Sequence, residues 1–505
     1  MILRLRPRHV RLLSLALGLV SATGFAPWHL WLATLLAVAG WMGFVRAAPR
    51  LRDAALVGWL FGLGQFVLGL NWIATAFTYQ AAMPAWLGWV AVVLLSLYLA
   101  VYPMFAAMLA WRYRANGPAF ILAFAAAWIA TEWLRATMFT GFAWNPLGVI
   151  VMGTGALDLE VAGRLARLVG TYGLSGLILL WAGAALLATR HRLRLAAVLL
   201  VPLLLIRFVP WPSAPAAAPT APELRIVQPK IGQQDKWDQA AQSANFARLA
   251  GLSRKVGTNP RLLLWPEAAV PDYLEEEPWA RARLARLLGP RDLLLTGGSA
   301  LVYDRTGKLV AARNSLFALD PQARLIGRYD KAHLVPYGEY LPMRPLLSAI
   351  GLSRLAPGDL DFLPGPGAQS IDLPGFGRVG VQICYEMIFS GRVVDAARRP
   401  SFLFNPSNDA WFGAWGPPQH LAQARLRAVE EGLPVVRATP TGISAVIDAD
   451  GRLLDALPWR QAGVIDALLP PPLTPTLFAR FGNALPLLLS LMLAVAAIAC
   501  RRIRR

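Results

Sequence analysis

Cysteine is nearly absent: Cys384 and Cys500 are the only two in 505 residues. Two thiols cannot make a disulfide framework. Cys500 ends an apolar segment and Cys384 lies far upstream in a polar region, so they are not expected to pair. Histidine is almost as scarce. Only His333 and His420, of five in all, fall in that polar region. No Cys/His spacing suits zinc, and neither a metal nor another cofactor is expected. Charge is thin as well: charged residues make up 15% of the chain against 56% hydrophobic ones, and the mean hydropathy is +0.46. A soluble protein of this length is less apolar and more charged.

Acidic residues are the scarcest charges, 29 against 49 lysines and arginines, for a net +20. The surplus is uneven. Residues 222–470 hold 28 basic and 25 acidic side chains, and the remainder holds 21 and 4. A nucleic-acid module gathers its basic excess on a soluble face. Here the excess flanks apolar runs instead, so a nucleic-acid partner is not expected.

A membrane span takes about 20 apolar residues. Candidates are 10–26, 28–45, 54–76, 84–110, 118–134, 168–189, 194–209 and 477–500. The first is read as an uncleaved span, because apolar character resumes directly after it. Eight spans put both termini on one side. Sixteen arginines choose it: Arg4, Arg6, Arg8, Arg11, Arg46, Arg50, Arg52, Arg112, Arg114, Arg190, Arg192, Arg194, Arg501, Arg502, Arg504 and Arg505 all fall on the same side. The opposite loops near 27 and 77–83 have none. Basic loops stay in the cytoplasm. The expected organisation is therefore a membrane domain over 1–209 with spans one to seven, a linker over 210–221, an extracytoplasmic domain over 222–470, and over 471–505 a return span with a basic tail. Glu132 and Arg135 lie one helical turn apart near the outer end of span five, where an interfacial ion pair and a functional contact are equally open.

Within 222–470, short apolar strands alternate with helical segments, which points to a layered α/β fold. Strands are expected at 224–228, 261–266, 293–297, 313–319, 379–384, 401–405 and 443–448, and helices at 238–255, 278–288, 391–398 and 419–431. Ligand sites in such folds gather at the carboxyl ends of strands. Glu267 closes one apolar run, Cys384 another, and Asn408 and Asp409 follow a third. Lys331 sits in a polar, Gly/Pro-punctuated stretch, 329–340, that reads as a loop. A thiol, a carboxylate and an ammonium in these settings form a set for covalent acyl chemistry. Glu267 takes the thiol proton as general base, Cys384 attacks, and Lys331 stabilises the oxyanion.

Four motifs carry a family resemblance: Trp265-Pro-Glu267, the run Lys331 to Tyr340, Ile383-Cys-Tyr-Glu386, and Ser407-Asn-Asp-Ala-Trp-Phe-Gly413. Together with Glu132-Trp-Leu-Arg135, Gly141-Phe-Ala-Trp144 and the eight spans, they resemble the nitrilase superfamily in the form of the apolipoprotein N-acyltransferases of Gram-negative inner membranes. The resemblance implies an αββα sandwich facing the periplasm and a Glu267–Lys331–Cys384 triad. It implies supporting roles for Trp237, Glu339, Tyr385 and Glu386. The implied reaction moves an acyl chain from a phospholipid, typically phosphatidylethanolamine, to Cys384 and then to the α-amine of a diacylglyceryl cysteine on an apolipoprotein, with the enzyme working as a monomer. A membrane-tethered amide hydrolase is the alternative reading. The chain departs from the family at Gln228-Pro-Lys230, at Pro440-Thr-Gly442 and at Tyr337. Two apolar, aromatic loops are expected to border an acyl-chain entrance: 341–350, with Leu346, and 411–415, with Trp411, Phe412 and Trp415.

Overall fold

The computed structural model describes residues 6–79, 83–153, 160–189, 193–194, 196–197, 201, 208–236, 238–349, 355 and 361–502. The chain forms two units, one of residues 1–74, 88–212 and 475–505 and one of 75–87 and 213–474.

The first unit is helical. Among the described residues, five of its helices are long and apolar enough to cross a membrane: Leu51–Gly69, Leu87–Trp111, Gly117–Thr137, Ala166–Ala188 and Ala484–Arg502. Helices Pro7–Ala22 and Trp31–Ala47 are shorter. The seventh expected span, 194–209, lies largely outside the described residues. The stretch Leu87–Trp111 breaks at Ala100 into Leu87–Leu99 and Val101–Trp111. Pro103 has no N–H to give the Leu99 carbonyl, which loosens the helix there.

Glu132 and Arg135 prove to be a buried clamp. From Gly141 through the 3₁₀ turn Leu147–Met152, the segment after their helix is largely buried but not α-helical. Backbone of this kind is tolerated at membrane depth only when protein groups satisfy it. Glu132 Oε1 accepts from Leu147 N at 2.8 Å and from Trp128 Nε1 at 3.2 Å. Arg135 Nη1 donates to Trp144 O at 2.8 Å, and Gly148 N donates to Ser175 Oγ at 2.8 Å.

The second unit holds two six-stranded sheets. The strands are β1 (Glu223–Gln228), β2 (Arg261–Leu264), β3 (Leu293–Tyr303), β4 (Leu309–Leu319), β5 (Leu325–Asp330), β6 (Ser370–Leu373), β7 (Gly377–Val381), β8 (Phe402–Pro406), β9 (Val435–Ala438), β10 (Ala445–Ile447), β11 (Leu453–Ala456) and β12 (Gly463–Leu468). Their orders are β12-β1-β2-β3-β4-β5 and β11-β10-β9-β8-β7-β6. The central pairings β1–β2, β2–β3, β7–β8 and β8–β9 are parallel, and the outer ones are antiparallel. Central strands buried on both faces read as unbroken apolar runs, as Leu262-Leu-Leu264 does.

Helices cover the sheets. Phe246 and Leu249 of Gln242–Leu252, with Ala280 and Leu284 of Pro278–Ala285, pack on the first sheet's core around Leu263, Trp265 and Leu294. Ala424 and Ala428 of Gly416–Glu431 pack on Leu403, Val435 and Ala445 of the second. That last helix opens with prolines in its first turn and closes on Gly432 at φ 66°, the left-handed position that favours glycine. The helix expected at 391–398 is absent; this stretch is turns and bends. Gly391 at φ 73° and the run up to Pro400 give it no helical start or continuation.

Candidate active site

Topology brings the chosen residues to one end of each sheet. β2 and β3 run parallel, β4 reverses and β5 reverses again, so β2 and β5 finish at the same end. Glu267 follows β2 and Lys331 follows β5. In the second sheet β7 and β8 are parallel, with Cys384 just beyond the first and Ser407 just beyond the second. Strand-type bonding continues past the strands. Lys331 N donates to Asn314 O at 2.9 Å, and Gly297 N donates to Pro266 O at 3.3 Å.

Around Lys331 the charges are buried and paired. Its Nζ lies 3.0 Å from Glu339 Oε1 and 3.6 Å from Glu267 Oε1. Asn314 Nδ2 joins the two carboxylates, 2.7 Å from Glu267 Oε1 and 2.9 Å from Glu339 Oε1. Val335 N holds Glu339 Oε2 at 2.8 Å. Burial alone would depress the lysine, but the Glu339 and Glu267 carboxylates outweigh it, and Lys331 is held above the ordinary lysine range as an ammonium. Glu267 Oε2 is buried and has no hydrogen-bond partner among the described residues.

Cys384 sits among Glu267, Lys331, Asp409 and the Ser407 hydroxyl. Burial, and next Glu267, push its thiol well above the ordinary range; Lys331 and the hydrogen bond from Ser407 only partly offset this. The resting group is therefore a thiol, and such a group becomes a nucleophile only when a base takes its proton. The residue opens a 3₁₀ turn, Cys384–Ile388, at φ 51°, a strained value for a side chain with a Cβ.

Glu386 fastens that turn to the lysine loop. Its Oε1 accepts from Tyr329 Oη at 2.8 Å, Ala332 N at 2.7 Å and His333 N at 3.0 Å, and its Oε2 from Ile383 N at 2.7 Å. Burial raises its pKa to about 7, and the bonds from His333, Tyr329 and Ile383, with the Lys331 charge, oppose the rise. Tyr385 is buried against Phe389, with ring centroids 5.2 Å apart, and against His333 at 5.8 Å.

The family model "Carbon-nitrogen hydrolase" matches residues 223–475, and "Apolipoprotein N-acyltransferase N-terminal domain" matches 17–184. The apolipoprotein N-acyltransferase of Brucella melitensis is 38% identical over 84% of this chain and 81% of its own length. That of Rhodopseudomonas palustris is 35% identical over 93% and 91%, and that of Bradyrhizobium diazoefficiens 35% over 98% and 95%. This chain belongs to the apolipoprotein N-acyltransferase family. The αββα nitrilase-type fold expected from the motifs is thereby established.

The remaining expected residues are scattered. Trp237 lies outside the described residues. Leu346 is 61% exposed on the short helix Arg344–Ala349. Trp411 meets the ring of Tyr79 edge-on at 5.7 Å, and Trp415 is half-buried. Phe412 is buried with its ring 5.7 Å from that of His420.

Sequence reasoning missed several polar residues. Asn314 is a lone amide inside apolar β4, which was its only signal. Lys236 Nζ donates to the Glu267 carbonyl at 3.0 Å, and burial lowers its pKa to about 8 despite Glu267 and Cys384. It borders a cavity of about 210 Å³ beside Glu267, lined also by Ser243, Phe246, Val270 and Arg283. His420 and Arg437 surround Asp409 and carried no motif that set them apart.

Proposed function

We propose that this chain transfers a fatty acyl chain from phosphatidylethanolamine to the α-amine of the S-diacylglyceryl cysteine of apolipoproteins, through a Cys384 thioester. The observation that carries the reading is the unpartnered Glu267 Oε2 beside a buried thiol and an ammonium locked by two carboxylates. Glu267 takes the Cys384 proton as sulfur attacks the ester carbonyl. Lys331 Nζ and the Tyr385 backbone N–H stabilise the oxyanion. The ester C–O bond breaks, Glu267 returns the proton to the leaving alkoxide, and lysophospholipid departs. The acceptor's neutral amine then attacks the thioester. Its proton passes through Glu267 to the departing sulfur, which restores the thiol and leaves an amide.

Tyr385 and Glu386 hold the nucleophile turn, and Glu339 holds Lys331. Trp237 keeps the supporting role that the resemblance gives it, and the Lys236 amine is assigned to the donor's phosphate. Leu346, Trp411, Phe412 and Trp415 line the side from which acyl chains arrive. The reading takes eight spans, with the catalytic unit in the periplasm and both termini in the cytoplasm. The sixteen arginines that fall on one side of the apolar runs support this reading.

The test is two-substrate kinetics with defined phosphatidylethanolamine and a diacylglyceryl peptide. A double-displacement pattern is expected, with one equivalent of lysophospholipid released per enzyme before acceptor is added. Sustained release of free fatty acid without acceptor would favour the amide-hydrolase type of chemistry.

A further inference from the structure

Behind the nucleophile lies a closed ring of polar groups that the proposed reaction leaves unused. His420, Asp409, Ser407, Asn405 and Arg437 are all buried. His420 comes from the helix Gly416–Glu431, Asn405 from β8 and Arg437 from the neighbouring β9. His420 Nε2 donates to the Cys384 carbonyl at 3.0 Å. Its Nδ1 lies 3.0 Å from Asp409 Oδ1. Asp409 Oδ2 accepts from Arg437 Nη2 at 2.6 Å, and Oδ1 also accepts from Ser407 Oγ at 2.7 Å. Arg437 also reaches Asn405 Oδ1. Asn405 Nδ2 gives the Cys384 carbonyl a second, longer bond of 3.3 Å. The ring thus closes on the Cys384 carbonyl, reached by His420 on one side and Asn405 on the other.

Cys384 needs such support. A non-glycine residue at φ 51° stays there only where its surroundings fix the backbone. The peptide unit it shares with Tyr385 carries both the carbonyl held by His420 and the N–H assigned to the oxyanion. Rotation of that unit moves both.

We propose that His420 is a positioning residue for acyl transfer: its Nε2–H, aimed by the Asp409–Arg437 pair, fixes the Cys384 carbonyl and so the turn that directs the thiol at Glu267. This rests on Cys384 being the nucleophile. The ring asks for a donor on the carbonyl, not for an imidazole as such. A side chain that keeps the donor at the same reach keeps the turn, and one that keeps only bulk loses it.

The test is the rate of Cys384 acylation by phosphatidylethanolamine, read by intact mass on full-length protein, with KM measured in parallel. His420→Leu is expected to slow acylation by about 10²-fold, the usual cost of misplacing a reacting group by about an ångström, with KM within about twofold. His420→Gln, whose amide reaches the carbonyl, is expected to recover most of that loss. Normal acylation in His420→Leu, or a His420→Gln no faster than a folded His420→Leu, would overturn the inference. Should His420→Leu not fold, His420→Gln is compared with His420→Asn, whose amide falls short of the carbonyl. A faster Gln variant supports the inference and equal rates overturn it. A wild-type protein that never acylates Cys384 would sink the nucleophile reading itself, a result distinct from all of these.

Discussion

At the residue scale, the site separates its charges by burial. The thiol is driven up and stays protonated, while Lys331 is driven up and stays charged. In the proposed reaction, proton removal is therefore assigned to Glu267. Glu267→Gln is expected to lower Cys384 acylation by about 10²-fold or more, as loss of a general base does, in a single-turnover assay. Glu386 gives a signed pH effect. Its folded pKa of about 7 lies above the ordinary carboxylate value near 4.3. As pH falls through 7 the group takes a proton, stops accepting from some of its four donors, and loosens the Cys384 turn, so acyl transfer is expected to fall. Stability moves the other way. A raised folded pKa favours the native state at low pH, and this contribution is lost as pH rises through 7. In Glu386→Gln both steps should flatten, in the rate–pH profile and in the difference of Tm against wild type.

At the scale of elements, close backbone approach decides where Glu267 sits. A Cβ on Gly297 of β3 would lie 2.3 Å from Ala268 N and 2.8 Å from Glu267 Cα. Gly297→Ala must therefore push the Glu267 turn away. Acylation is expected to drop by about 10²-fold with a cooperative thermal transition retained, as circular dichroism would show. Much of this level was legible in sequence. Strands at 224–228 and 401–405 match β1 and β8 within a residue, because buried parallel strands are short apolar runs. The end of the strand before Cys384 was not legible. The apolar run continues to Ile383, yet β7 stops at Val381 and a 3₁₀ turn begins at Cys384. Hydropathy does not register a backbone that turns left-handed. The two loops that depart from the family, near 230 and 440, proved to be partners: Lys230 N donates to Pro440 O at 2.8 Å, with Lys230 at φ 54°. Such a pairing across two hundred residues has no local signal.

At the scale of the whole molecule, sequence separated the apolar from the polar part through composition alone. It did not foresee that residues 75–87 join the unit of the α/β domain. That short segment has ordinary loop composition, and its packing depends on distant residues such as Trp411, whose ring meets Tyr79. For Glu132 and Arg135 sequence left an ion pair and a functional contact equally open; the ion pair is there at 3.9 Å, but their main partners are backbone groups of a segment that sequence marked only as Gly141-Phe-Ala-Trp144. Orientation is testable with a reporter thiol. Asp304 lies in an exposed turn between β3 and β4. Asp304→Cys in a Cys500→Ser background is expected to react with a membrane-impermeant maleimide in spheroplasts, where the outer membrane is open and the inner one intact. Reaction only after the inner membrane is lysed would reverse the assigned topology.

The most direct measurement is the intact mass of the full-length protein after exposure to phosphatidylethanolamine of one defined acyl chain, without acceptor. The mass is expected to rise by one acyl group, the adduct to map to Cys384, to be released by a diacylglyceryl peptide amine, and to be missing in Cys384→Ala. An unmodified thiol after lysophospholipid has formed, or an adduct that survives in Cys384→Ala, would contradict acyl transfer through this sulfur.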